Sequence, residues 1–263
     1  MIDTVIYSLI VGAALGFSAG YLGSIMVLEK MALVGDAMSH VALPGLALGS
    51  LLGFDPLLGG FVFLFVSAIL IWHVGRITKL SFETLVGAAF TLALAIGILL
   101  YGNNLDALEA ALFGDITKVD LIYAIIAVAI SLAVTLLTRY IYRRIVLGLI
   151  SEELAISKGI NIAQTNLLYL LLVSVTVAVG IQVTGTLLVG FLVVTPAAAA
   201  RIVSANMSKY LMLSAIFGSI SAISGIMLSS AFNFNMPGPL VVISGVIIFV
   251  VALAVRRSKK LES

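Results

Sequence analysis

Long apolar stretches separated by short connections are the feature of this sequence that most restricts its fold. A helix needs about 20 predominantly apolar residues to cross a bilayer, and the chain contains nine stretches of about that length: 4–28, 31–53, 56–74, 82–101, 119–138, 163–182, 184–203, 209–231 and 239–255. Only 10% of its 263 residues are charged, whereas a soluble domain carries roughly 25%. We therefore predict an all-α fold, a polytopic membrane helix bundle of about nine transmembrane helices that forms a single domain over residues 1–263.

The basic residues concentrate on one set of connections between these stretches. That set contains Lys30, Arg76, Lys79, Arg139, Arg143, Arg144, Lys158, Lys209 and the segment 256–260. The opposite set contains a single lysine, Lys118. Because Lys and Arg mark the cytoplasmic side of a membrane protein, the pattern predicts a cytoplasmic C-terminus. With an odd number of spans, the N-terminus is then expected outside.

Two ionisable residues lie inside the second stretch, in the segment "GDAMSHVALPGLALG" at 35–49. A charged residue inside a span costs about 2.5–3.5 kcal/mol even on the lower scales. Asp36 and His40 are four residues apart, so on a helix they share one face. A carboxylate oxygen and an imidazole nitrogen both bind Zn²⁺, Mn²⁺ or Fe²⁺. Pro44 cannot donate to the carbonyl of His40, which predicts a kink there.

Two ligands from one chain are too few to enclose a metal ion. A symmetric dimer would bring two aspartates and two histidines together, so we expect a homodimer that shares one site. The alternative is that Asp36 and His40 only hydrogen-bond each other and a neighbouring helix. The other histidine, His73, lies at a span end beside Trp72, where such a pair is more often an interface anchor.

The longest connection on the basic side runs over about 139–162. Within it "SEELAISKG" is typical of a short helix, with Ser151 as N-cap, acids in the first turn and Gly159 just past the end. Such a helix could dock a cytoplasmic partner or be a solvated connector. No G-x-x-x-x-G-K-[ST] motif occurs, so any ATP hydrolysis must come from another polypeptide. The chain has no cysteine, which excludes disulfides and thiolate metal sites.

Several sequence blocks resemble the transmembrane permeases of ATP-binding-cassette (ABC) importers for zinc, manganese and ferrous iron. The segment "LVGDAMSHVALPGLALG" is similar to their pattern G-D-[AS]-x-[SA]-H-[AS]-x-L-P-G, and Val41 departs from it where a small residue is usual. Four further blocks match in order: "LFGDITKVD" (112–120), "SEELAISKGIN" (151–161), "VTGTLLVGFLVVTPAAAARIV" (183–203) and "MPGPLVVI" (236–243).

The resemblance implies roles for particular residues and for partners. Asp36 and His40 would line the metal pathway, and Pro44, Thr195 and Pro196 would kink helices and shape it. The residues expected to couple to the ATPase are Ser151, Glu152, Glu153, Leu154, Ala155, Lys158 and Gly159. The implied protein is a homodimeric permease in the cytoplasmic membrane of a prokaryote. Its partners would be cytoplasmic ABC ATPase subunits and an extracytoplasmic metal-binding protein, with no nucleic acid.

Two other functions remain compatible with the same residues. A secondary carrier would exchange metal for protons without a partner, and a membrane metalloenzyme would need a third fixed ligand and a general base. In the importer no cofactor is permanently bound, and the divalent metal is the transported substrate. Mixed oxygen and nitrogen ligands suit zinc, manganese and ferrous iron alike, so the sequence leaves the metal open.

Overall fold

The computed structural model describes residues 2–78, 80–102, 104–114, 119–232, 234 and 237–261. These residues form α-helices and contain no strand. The helices are α1 (Ile2–Leu28), α2 (Ala32–Val41), α3 (Leu43–Leu52), α4 (Pro56–Thr78), α5 (Phe82–Tyr101), α6 (Leu105–Phe113), α7 (Leu121–Ile150), α8 (Glu152–Ser157), α9 (Ile162–Thr184), α10 (Thr186–Val203), α11 (Met207–Ala231) and α12 (Gly238–Leu261). The predicted all-α fold is confirmed.

Eight segments of the described chain are long and apolar enough to cross a membrane, with α2 and α3 counted together as Ala32–Leu52. The other seven are α1, α4, α5, α7, α9, α11 and α12. The predicted span 184–203 corresponds to α10, whose apolar part Val189–Val203 is shorter than these eight. Residues 115–118 and 236, which belong to two of the blocks quoted above, lie outside the described residues.

The second span is broken at Ala42, two residues before Pro44. The amide of Ala42 donates to the carbonyl of Ser39 at 3.4 Å, which closes a tighter turn than an α-helix has. Pro44 then occupies one of the first positions of α3, where a missing amide costs little. A one-residue interruption at Ala42, whose φ of −70° and ψ of −25° stay in the helical region, therefore separates α2 from α3.

Two helical segments extend beyond the sequence prediction. The helix α7 continues past 138 to Ile150, so the predicted connection 139–162 begins as the last turns of this span. The helix α7 contains no Pro that would end it earlier, and the next helix, α8, has Ser151 as its N-cap. The helix α6 occupies the connection between α5 and α7, for which the sequence analysis predicts no helix; the Asn104 side chain caps it by accepting from the Ala107 amide at 3.2 Å.

The helix α1 lies at the centre of the bundle and packs against α7, α10 and α11. Its contact with α11 is close, because a Cβ atom at Gly16 would overlap the carbonyl of Gly218. Side chains of α11 also donate to carbonyl groups of α1, from Tyr210 to Ser24 at 3.0 Å and from Ser219 to Ala13 at 2.9 Å. Close backbone packing of this kind replaces the hydrophobic effect as the force between helices in lipid.

Candidate functional site

The helix α2 carries both ionisable residues of the second span. Asp36 and His40 are one turn apart on it, and His40 is the second residue before the break at Ala42. The hydroxyl of Ser39 donates to the carbonyl of Asp36 at 2.6 Å, so this serine satisfies the backbone of its own helix. The break therefore lies directly beside the candidate ligands.

His40 is held in a mostly apolar environment. Only 8% of its surface is exposed, and its ring lies 5.2 Å from that of Phe90 on α5, with the planes tilted by 57°. Its Nδ1 atom is buried and has no hydrogen-bond partner in the described part of the chain. A buried polar atom without a partner costs about 1–3 kcal/mol. The described residues therefore leave one nitrogen of the imidazole without a partner inside the chain.

Asp36 is exposed on the surface of the single chain, in contrast to His40. Its backbone packs against Gly190 of α10, where a Cβ atom would overlap the Cα atom of Asp36 and lie 3.0 Å from its Oδ1. In the described part of the chain, the carboxylate makes no hydrogen bond or ion pair with another side chain, His40 included. The alternative interpretation of a closed Asp36–His40 hydrogen bond therefore does not describe this structure.

The described residues contain no group of three or more His, Cys, Asp or Glu side chains that could hold a metal ion. Asp36 and His40 thus remain a set of two.

The second histidine, His73, is near the end of α4. Its neighbour Trp72 donates to the carbonyl of Ala163 at 2.7 Å, and Arg76 lies over the indole ring. This arrangement fixes α4 against α9 and includes no second ligand group.

The other residues expected to shape a pathway lie on the helices next to α2. Pro44 is buried in α3, Pro196 is buried inside α10, and Thr195 beside it is half-buried. The helix α10 continues through Pro196 to Val203. Gly190 on the same helix is the contact residue that the sequence analysis missed. A glycine in "LLVGF" has no distinctive spacing, so only the packed structure identifies it.

The segment 151–159 forms the short helix expected from its sequence. The Ser151 side chain accepts from the Leu154 amide at 3.2 Å, and Glu152 and Glu153 occupy the first turn of α8. Past the end of α8, Lys158 caps it and Gly159 adopts a φ of 73°. Ala155 is buried, whereas Leu154 and Ile156 are 44% and 59% exposed. The helix thus presents apolar side chains outside the spans.

Comparisons with known proteins identify the family. The sequence profile of the ABC 3 transport family matches residues 1–256. The chain belongs to this family. The membership expected from "GDAMSHVALPG" and the later blocks is confirmed, and the chain is a multi-pass membrane transport subunit whose ATP hydrolysis resides in a separate partner.

Proteins with similar sequences include transport proteins for two metals. The manganese transport system membrane protein MntC of Listeria innocua is 29% identical over 94% of this chain and 89% of its own length. The high-affinity zinc uptake system membrane protein ZnuB of Haemophilus influenzae is 32% identical over 96% of this chain and 98% of its own. The structure of PsaBC from Streptococcus pneumoniae in complex with Fab superposes with a TM-score of 0.83 at 28% identity and covers both chains completely.

Proposed function

We propose that this ABC 3 transport family member is the permease subunit of an importer for a divalent transition metal, with zinc and manganese as the leading substrates and ferrous iron compatible. The observation that carries the proposal is the unpartnered, buried Nδ1 atom of His40, one turn from an exposed carboxylate on a broken span. One oxygen and one nitrogen ligand suit each of these metals. The names of the similar manganese and zinc transport proteins support the same substrate class.

Two copies of the chain would complete the site. The exposure of Asp36 lets a second chain approach its carboxylate, and two copies together supply two oxygen and two nitrogen ligands. A transit site has to release its ion, so a set assembled across an interface can open when the two chains move. Pro44, Thr195 and Pro196 would shape the pathway on either side of these ligands.

A shared site predicts that Asp36 of one copy faces Asp36 of the other. Because the chain has no cysteine, an Asp36→Cys variant can form a covalent dimer only through the two introduced thiols. We expect a short bifunctional thiol reagent to cross-link this variant in membranes. Leu132→Cys, at an exposed position of α7, is the matched control and should stay monomeric on gels. Equal cross-linking of both variants, or none at Asp36→Cys, would contradict a site shared on this face.

The helix α8 would transmit the motion of the ATPase to the spans. It follows α7 directly and packs mainly on α7 and α9, so a displacement of α8 acts on two spanning helices. With the basic connections inside, α8 lies on the cytoplasmic side, where the ATPase subunits are, and the extracytoplasmic metal-binding protein meets the opposite face. With α10 counted as a ninth crossing beside the eight longer spans, this arrangement places the N-terminus outside and the C-terminus inside.

The exposed apolar residues of α8 should be needed for assembly with the ATPase. Replacing Leu154 and Ile156 together by Asp places two charges on this surface. We expect the affinity for the ATPase subunits to fall by about 10- to 30-fold, as for hot-spot residues of an interface. Leu80→Asp changes an exposed residue of the α4–α5 connection and should leave the affinity near the wild-type value. Co-purification at graded ATPase concentration measures both.

A further inference from the structure

A cavity of about 720 Å³ lies between α1, α7 and α11, separate from the helices that carry Asp36 and His40. Its lining contains three arginines, Arg139, Arg143 and Arg144, and no acidic residue. Arg139 and Arg143 are one helical turn apart on α7 and therefore project from the same face. In the described part of the chain neither of them makes a hydrogen bond or an ion pair.

The third arginine is engaged with the chain itself. Arg144 lies 4.7 Å above the ring of Tyr140 and donates to its hydroxyl at 2.7 Å. It also borders a smaller cavity that contains Glu29, at the connection between α1 and α2. Burial raises the pKa of Glu29 to about 7, so near neutral pH this acid is only partly charged. Because the lining of the larger cavity contains no acidic residue, Arg139 and Arg143 give that cavity a net positive charge.

The depth of the cavity matches a lipid headgroup. Asp120 caps the start of α7, and at 1.5 Å per residue Arg139 lies roughly 27 Å along this helix. The hydrocarbon core is about 30 Å thick, so both free arginines are close to its far boundary. The tyrosines that line the cavity, Tyr21, Tyr140 and Tyr142, are a residue type that concentrates at this boundary.

An apolar stripe leads along α7 into the cavity. Leu132 and Leu136 are 60% and 59% exposed, lie one turn apart, and precede Tyr140 by one further turn on the same face. Met212 on α11 adds a second exposed apolar side chain at the cavity, 46% exposed. The surface is thus apolar at the depth of acyl chains and positively charged at the depth of headgroups. This pattern is complementary to an amphiphile with an apolar tail and an anionic headgroup.

We propose that this cavity binds an anionic phospholipid, with the headgroup phosphate between Arg139 and Arg143 and an acyl chain along Leu132, Leu136 and Met212. The lipid would fill the space between α7 and α11 and hold the end of α7 that leads to α8. Basic pockets between spanning helices on the cytoplasmic side are suited to such headgroups.

The test compares lipid retention by full-length variants. Native mass spectrometry of the purified chain, titrated with phosphatidylglycerol or phosphatidylcholine, gives the number and affinity of bound lipids. We expect wild type to prefer phosphatidylglycerol, and Arg139→Gln with Arg143→Gln to lose about 10- to 30-fold of that affinity. The variant with Arg139→Lys and Arg143→Lys keeps both positive charges and should therefore keep most of the affinity for phosphatidylglycerol. The matched control, Arg256→Gln with Arg257→Gln, removes two exposed charges from the end of α12 and should change little.

Three results would overturn the proposal. The first is equal phosphatidylglycerol affinity of wild type and the Arg139/Arg143 glutamine variant, with thermal unfolding confirming that the variant is folded. The second is full competition by inorganic phosphate at equal concentration, which would make the cavity a site for a free anion. The third is a pair of observations: the ATPase subunits displace the lipid, and the glutamine variant binds the ATPase subunits more weakly than wild type does. Together they would make the cavity a protein docking surface.

Discussion

Replacement of His40 by Ala should lower metal uptake by about 100-fold while the bundle stays folded. Loss of a residue that only orients a ligand costs about 10- to 100-fold in metal affinity or activity, and removal of a ligand should reach at least the upper end. His40 is buried against Phe90 with an unpartnered Nδ1 atom, so the substitution removes a nitrogen that no other described residue replaces. The measurement is the initial rate of radiolabelled Zn²⁺ and Mn²⁺ uptake in vesicles that contain the assembled importer.

The second histidine provides the matched control for this prediction. His73→Ala removes the same side chain from the end of α4, beside the Trp72 contact with α9. We expect its uptake rate to stay within about twofold of wild type, because surface substitutions away from a site have small effects. A His40→Ala variant that transports as fast as His73→Ala would show that His40 is a packed core residue without a part in the pathway.

Replacement of Gly190 by Ala should abolish most transport although no ligand is removed. The added methyl group would overlap the Cα atom of Asp36, so α2 and α10 must move apart. Overpacking of this kind costs about 1–3 kcal/mol of stability, and the displaced carboxylate should lower uptake by about tenfold. Thermal unfolding and metal uptake of the same preparation measure the two effects.

Gly87→Ala is the control for the same chemical change. A Cβ atom at Gly87 of α5 meets no atom within 4 Å, so we expect uptake to be unchanged. Stability should rise by about 0.5–1 kcal/mol, because alanine is favoured over glycine inside a helix. If Gly190→Ala behaves like Gly87→Ala, then α10 does not position Asp36.

The spans and the candidate ligands could be predicted from sequence because each depends on local chemistry. Hydrocarbon excludes charge over a fixed length, so the apolar stretches define the spans. The same exclusion of charge from hydrocarbon makes Asp36 and His40 stand out in the second span. Pro44 has no amide hydrogen to donate, so its position indicates an interruption close to Ala42. The helix α8 was predictable because Ser151 is a typical N-cap residue and Gly159 is a residue type that commonly follows a helix end.

The remaining features depend on contacts between segments that are distant in the sequence. The approach of Gly190 to Asp36 and the packing of Phe90 on His40 join three helices, and no local pattern encodes either contact. The extension of α7 to Ile150 does not follow from the apolar pattern, because the charged residues from Arg139 onward end the apolar span without ending the helix. A helix that leaves the membrane can continue with arginines and tyrosines on its surface, because they are compatible with helical backbone in water.

The most direct test of the central claim is ATP-dependent metal uptake by the assembled importer. Vesicles that contain this chain, its ATPase subunits and its metal-binding protein would be supplied with radiolabelled Zn²⁺ or Mn²⁺, with ATP, without ATP, and with a proton gradient alone. The proposed function predicts uptake only with ATP, and the preferred ion identifies the substrate. Uptake that follows the proton gradient without ATP would contradict an ABC importer and favour a secondary carrier that uses the same residues.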